Sequence, residues 1–196
     1  MKPLLQIVLL CAALCGCAGT RLIDSDVQSF VSGAIPARPA SYRFERLPSQ
    51  ADSAQQQQLE AMAAVALAKV ELTPVFASID GMVASKAQYA VLLSVQIETI
   101  RTLYADAFHG GFWDHGHLGG LGMVLEPTWY RHAVHILLRD SHSGQPVYET
   151  KASFEGPWAD SARLLPVILD AALQGYPNPP TGPRKVVIEL PGGPAR

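Results

Sequence analysis

Apolar and polar residues alternate with a period of two over five stretches of the chain and recur at three- and four-residue spacing over two others. The clearest strand signal is Gln88 to Leu103. Tyr89, Val91, Leu93, Val95 and Ile97 fall on one face, and Ala90, Leu92, Ser94, Gln96 and Glu98 on the other, which turns polar along its length. One core face and one wet face is the pattern of an antiparallel sheet. Thr128 to Arg139 repeats it, with Tyr130, His132, Val134, Ile136 and Leu138 together. Asp140 to Gly144 reads as a turn, and Gln145 to Phe154 pairs back as a hairpin through Tyr148, Thr150, Ala152 and Phe154. Ser41 to Leu47 sets Tyr42, Phe44 and Arg46 against Arg43, Glu45 and Leu47. Arg21 to Phe30 sets Ile23, Ser25 and Val27 against Leu22, Asp24 and Asp26, although this stretch also reads as a disordered tether. Leu72 to Phe76 is a short strand that Pro74 pushes to a sheet edge, and Val186 to Leu190 supplies a last one.

Two stretches have the helical period. Asp52 or Ser53 caps the first, and Ser53 with Gln56 has capping-box spacing. Leu59, Met62, Ala63, Ala66 and Val70 follow at helical intervals, so the helix ends near Lys69 to Glu71, with the run Gln55–Gln58 as a solvated face. Asp160 or Ser161 opens the second, where Leu165, Ile168, Leu169, Ala172 and Leu173 form a stripe. Pro166 fits only a first turn, which places the regular helix from about residue 163. Gly175 reads as the C′ residue that ends it. The connections Ser32–Ala40 and Pro177–Pro183 are marked by Pro and Gly.

The N-terminus is an address. Lys2 precedes an apolar stretch, Leu4 to Leu14, broken only by Gln6. A bilayer span needs about 20 apolar residues, so this is the h-region of a signal peptide. It runs into Leu14-Cys15-Gly16-Cys17, which resembles the bacterial lipobox, cut before its cysteine. The resemblance implies a signal peptide over residues 1–16, a diacylglyceryl thioether on Cys17 and an acylated new N-terminus. An ordinary signal peptide cut near Ala18 or Gly19 is the alternative. Cysteine usage favours the lipobox: Cys11 and Cys15 leave with the peptide, Cys17 carries the lipid, and no cysteine remains from Ala18 onward. A free thiol in an oxidising compartment is a liability, and a lipidated one is not. Two or more acyl chains anchor stably where one does not. Ala18, rather than Asp, follows the cysteine, which by resemblance to sorted lipoproteins favours the outer membrane over the inner.

Removing residues 1–16 leaves 180, enough for one domain with a sizeable core. It also removes Lys2 and leaves a net charge of −3. No basic patch is evident, which argues against nucleic acid as a partner. Charged residues make up only 16% of the chain, which fits a large buried sheet or a partner surface.

The order of these elements, together with the lipobox, resembles the bacterial lipoprotein family known as domain of unknown function 4136. The residues that carry the likeness are Ser41-Tyr-Arg-Phe44 and the Ala-rich helix running into Leu67-Ala-Lys-Val-Glu-Leu72. Gln88-Tyr-Ala-Val-Leu-Leu-Ser94 comes next, then a Gly/aromatic loop. Leu138-Arg-Asp140, Ser143-Gly144, Val147-Tyr148 and a helix ending in Tyr176-Pro177 complete it. It spans residues 21–190, leaving 17–20 as lipidated tether and 191–196 as tail. It implies a small α+β envelope domain, two helices on one sheet, no established activity and no catalytic residues to carry over.

The odd segment is residues 104–127, which contain Phe108-His-Gly-Gly-Phe-Trp-Asp-His-Gly-His117. His109, Asp114, His115 and His117 form a candidate ligand set for Zn²⁺, Cu²⁺ or Ni²⁺. Six glycines from Gly110 to Gly122 weaken it, because a metal site needs oriented ligands. The alternative is a long exposed connection whose Phe112 and Trp113 pack on the sheet, touch lipid or meet a partner. His132 and His135 point to opposite faces of one strand and cannot chelate together; His142 belongs to a turn. The chain contains no Gly-x-Ser-x-Gly, His-Glu-x-x-His or phosphate-binding loop. Asp140, His142 and Ser141 or Ser143 sit too close in sequence for a triad.

The sequence therefore predicts an α+β domain, an antiparallel sheet with two helices packed on one face as a two-layer sandwich. It predicts no enzyme and no cofactor beyond covalent lipid on Cys17. The expected function is a non-catalytic structural or interaction module, anchored by lipid in the outer membrane and facing the periplasm, with an envelope protein as partner. The alternative is a ligand-binding lipoprotein, with a divalent metal at the His-rich loop or an apolar ligand between sheet and helices.

Overall fold

The structure, a computed structural model, describes residues 21–33, 35–75, 86–100 and 128–190. In chain order the elements are β1 (Arg21–Val31), β2 (Ala40–Glu45), α1 (Ala54–Lys69), β3 (Leu72–Pro74), β4 (Tyr89–Ile100), β5 (Trp129–Asp140), β6 (Pro146–Gly156), α2 (Ser161–Leu173) and β7 (Arg184–Leu190), with a 3₁₀ turn at Pro48–Gln50. The strands form one seven-stranded sheet in the order β3-β2-β4-β5-β6-β1-β7.

The sheet is mixed, which corrects the purely antiparallel expectation. β4, β5, β6, β1 and β7 pair antiparallel, but β2 runs parallel to both β3 and β4. The cause is the crossover. Parallel neighbours need a connection of a dozen or more residues, and α1 supplies it between β2 and β3. β3 occupies the edge, where Pro74 has no ladder bond to donate on its outer side.

Period-two burial identifies the covered face. Ile23 and Val27 of β1, Val91 and Leu93 of β4, Val134, Ile136 and Leu138 of β5, and Tyr148 and Ala152 of β6 are all buried. They join Leu67 of α1 and Ile168 and Leu169 of α2 in one core. At about 25 cal/mol per Å² of apolar surface removed from water, this core is the main favourable term in the fold. The two helices also meet directly, through Lys69 Nζ and Asp170 Oδ2 at 2.6 Å.

Local chemistry explains the helix ends. The Ser53 side chain caps α1 by accepting from the Gln56 amide. Gln56 is not on a solvated face, as the glutamine run suggested, but is 5% exposed. Its amide group donates to Glu60 Oε1 (3.3 Å) and to the Leu93 carbonyl (3.4 Å). Glu60, also buried, receives Arg46 in a bidentate pair at 2.7 Å on each oxygen. α1 is thus pinned to the sheet by polar groups whose bonds are satisfied on burial. The buried Glu60 carboxylate and burial itself push the Tyr42 hydroxyl up to about 12, burial being the larger cause.

α2 begins at Ser161, capped by Asp160, and contains Pro166, so it starts two residues earlier than Pro166 suggested. The ring removes a bond to the carbonyl of Ala162, an exposed residue where water can serve. Gly175 adopts φ +88° just past the helix, the left-handed position that glycine suits. In the last turn of α2, beside Gly175 in sequence, the Ala172 carbonyl accepts from buried Thr150 (2.8 Å), which in turn accepts from Ser29 (2.9 Å).

Candidate binding face

The face of the sheet turned away from the helices is built in rows, because residues opposite one another in a ladder point the same way. Glu98, Arg131 and Glu155 make one row. Gln96, Ala133, Ser153, Asp26 and Lys185 make the next. Ser94, His135, Lys151 and Gln28 follow, and then Leu92, Leu137, Glu149 and Phe30. The small side chains of Ser94, Ala133 and Ser153 sit together at the centre and leave a hollow of about 550 Å³. Arg131 and Glu155 wall it on one side, His135 and Lys151 on another.

The walls are held by charge. Arg131 Nη2 reaches Glu155 at 2.6 Å and Nη1 reaches Glu98 at 3.5 Å. Its hydrogen bond to Glu155 holds the guanidinium firmly protonated. Glu149 Oε1 accepts from both Lys151 and His135 at 3.0 Å. The Lys151 bond, outweighing a modest burial cost, holds the Glu149 carboxyl below the usual carboxylate range, with His135 adding to it. Lys185 lies 3.4 Å from both Asp24 and Asp26, which raise its ammonium, the Asp24 hydrogen bond most. The signs alternate across the face, so it offers donors and acceptors without a single-sign field.

The residues proposed from sequence as functional, Cys17, His109, Phe112, Trp113, Asp114, His115 and His117, lie outside the described residues. Their flanks are described: Ile100 is opposite Trp129, so segment 101–127 leaves and re-enters the sheet at adjacent points on one end. Among the described residues no group of three or more His, Cys, Asp or Glu is placed to hold a metal. His132 and His135 do point to opposite faces. His132 is fully buried, its Nε2 3.1 Å from Ser161 Oγ, and burial holds its imidazole below the ordinary value. His135 belongs to the open face. Asp140 Oδ1 accepts from the His142 amide, the Ser143 amide and Ser143 Oγ at 3.0, 2.8 and 2.9 Å. The Ser143 bonds lower its carboxyl, so these side chains stabilise a turn instead of activating a nucleophile.

No protein-family model matches the chain, and no curated protein matches it. Solved structures do. A PDZ domain protein from Parabacteroides distasonis aligns with a TM-score of 0.50 at 13% identity, covering 90% of this chain. The chain spans 41% of that protein's length. The PelC dodecamer from Paraburkholderia phytofirmans aligns with a TM-score of 0.45 at 13% identity, over 79% of this chain and 99% of that one. The first likeness concerns fold alone; the second is too slight to carry an argument.

Sequence reasoning missed the floor of the hollow. Ala133 and Ser153 are small residues on the polar side of two neighbouring strands, and only the register reveals that they are adjacent. Their small size on wet positions, where Lys, Glu and Thr are the usual occupants, was the available signal.

Proposed function

We propose that this protein is a lipoprotein of the outer membrane, facing the periplasm on the lipid of Cys17, that acts as a non-catalytic interaction module. Its contact surface is the open face of β4, β5, β6 and β1. The observation that carries the reading is the asymmetry of the sheet. Two helices cover one face, and among the described residues none covers the centre of the other, where the hollow opens. A partner side chain or loop inserted over Ala133 and Ser153 would meet Arg131, Glu155, His135 and Lys151 as a polar rim, the anatomy of a protein–protein contact. The membrane is the second partner, through lipid alone.

The ligand-binding alternative keeps one supporting observation, the volume of the same hollow, which would suit a small polar molecule. An apolar ligand between sheet and helices would need space that Tyr42, Leu67, Ile136, Ile168 and Leu169, all fully buried, already occupy.

The test is site-specific photo-crosslinking in native membranes. A benzophenone side chain at Gln96, on the exposed rim of the hollow, should give one discrete protein adduct, and the same group at exposed Ala68 on α1 should give none. Filling the hollow with Ser94→Arg should abolish the Gln96 adduct. Equal labelling from both positions would sink the interaction reading.

A further inference from the structure

We infer that one end of the sheet, which carries Arg21, Trp129 and Trp158, rests in the phospholipid headgroup layer of the membrane that holds Cys17. The inference rests on the proposal that Cys17 is lipidated, and adds to it a second, non-covalent membrane contact that orients the domain.

Strand register places these residues at the same end of the sheet. Arg21 is opposite Leu190, Ile100 opposite Trp129, and Tyr130 opposite Gly156. The Arg21 guanidinium lies 5.1 Å above the Trp158 ring, and Trp158 stacks on Phe154 at 5.7 Å with 5° between planes. On the other face of the same end, Leu22 is 55% exposed and Trp129 42% exposed. Every tryptophan among the described residues is at this end. The opposite end also has exposed apolar groups, Phe30 and Ile35, but its tip is the polar turn Asp140–Gly144.

Two arguments select lipid as the occupant. The first is reach. Consecutive Cα atoms span at most about 3.6 Å of extended chain, so the four steps from Cys17 to Arg21 hold the Arg21 Cα within about 14 Å of the Cα of the lipidated cysteine. The second is chemistry. Tryptophan prefers the membrane–water interface, where its ring is half wet. An arginine guanidinium offers a planar fork to phosphate. The patch need not be strong. Tethering makes docking an intramolecular event at an effective concentration in the millimolar range, so weak contacts suffice. A soluble form lacking lipid would not show it.

The experiment uses the full, lipidated protein on vesicles of phosphatidylethanolamine and phosphatidylglycerol, with and without tail-brominated phosphatidylcholine, which quenches only tryptophans near the acyl boundary. The chain has three tryptophans, so Trp113→Phe/Trp158→Phe reports from Trp129 alone. Where Trp158→Phe disturbs the fold, Trp113→Phe/Trp129→Phe reports from Trp158 instead. The control replaces all three by Tyr, which keeps an amphipathic ring at the docking end, and adds His142→Trp at the opposite end. The expected result is about twofold quenching of Trp129 or Trp158, with His142→Trp unchanged. Wild type that floats with the vesicles while Trp129 is quenched no more than His142→Trp overturns this inference and leaves the lipidation proposal standing. Wild type that does not float overturns both.

Discussion

The two faces of the sheet share the same strands and the same backbone, and they are held by different physics. On the covered face, Ile23, Val91, Val134, Ile136 and Tyr148 are removed from water by α1 and α2, and each contributes in proportion to the apolar area it buries. On the open face, Glu98, Arg131, Glu155, Glu149, Lys151 and Lys185 are paired in water, where an ion pair contributes little because solvent already satisfied both partners. Stability therefore depends on one face, and the other is left free to be shaped for contact. A hollow at the centre of the open face costs the fold almost nothing, whereas a void of that size in the core would cost on the order of 10 kcal/mol, as much as the whole stability of a domain.

The largest effect should come from the covered face. Ile168→Ala, at a fully buried position of α2, should cost about 2–5 kcal/mol in urea unfolding and leave crosslinking from Gln96 intact wherever the domain is still folded. Next is Thr150→Val, which keeps the shape but leaves the Ala172 carbonyl without its donor and the Ser29 hydroxyl proton without its acceptor, the Ser29 oxygen still accepting from Arg184. It should cost about 1–3 kcal/mol, the penalty of leaving buried polar groups unpaired.

His132 offers a pH-dependent version. Its folded-state pKa is depressed by burial, so the unfolded chain binds the proton first. Its contribution is fully present above the unfolded value of about 6.5 and declines as pH falls below it. Urea midpoints between pH 7.5 and pH 5, above most carboxylate titration, should fall in the wild type and fall less in His132→Gln. The smallest stability effect belongs to the open face. Lys151→Ala should cost at most about 1 kcal/mol, yet it removes one wall of the hollow and should weaken the Gln96 adduct. If it proves as destabilising as Ile168→Ala, the division between the faces fails.

The covered face was legible because period-two alternation in β1, β4, β5 and β6 encodes it locally, and the stripe of α2 and the Ser53 cap are equally local signals. The chain was less informative where burial depends on distant partners. Gln56 reads as a surface residue until Glu60 and the Leu93 carbonyl are known to meet it. The parallel pairing of β2 depends on where α1 returns the chain, which no spacing within β2 states. Leu67, fully buried, was absent from the α1 stripe because an alanine-rich helix marks its apolar side weakly. The hollow depends on register across four strands, so its residues carry no contiguous motif. The cysteine, histidine and aromatic residues that sequence singled out lie outside the described residues, and their roles stand as expectations.

The pairing of Arg21 with Leu190 has a mechanical consequence. Both ends of the described fold emerge at the same tip of two antiparallel neighbours. Tension between Cys17 and the chain beyond residue 190 would load a single rung at a time and open the β1–β7 ladder like a zipper, at low force. Tension between Cys17 and a partner seated on β4 and β5 would instead pull along β1 and stress its whole ladder with β6 at once. An anchor that unzips when pulled by its tail and resists when pulled through its face would carry load only from a partner bound to that face.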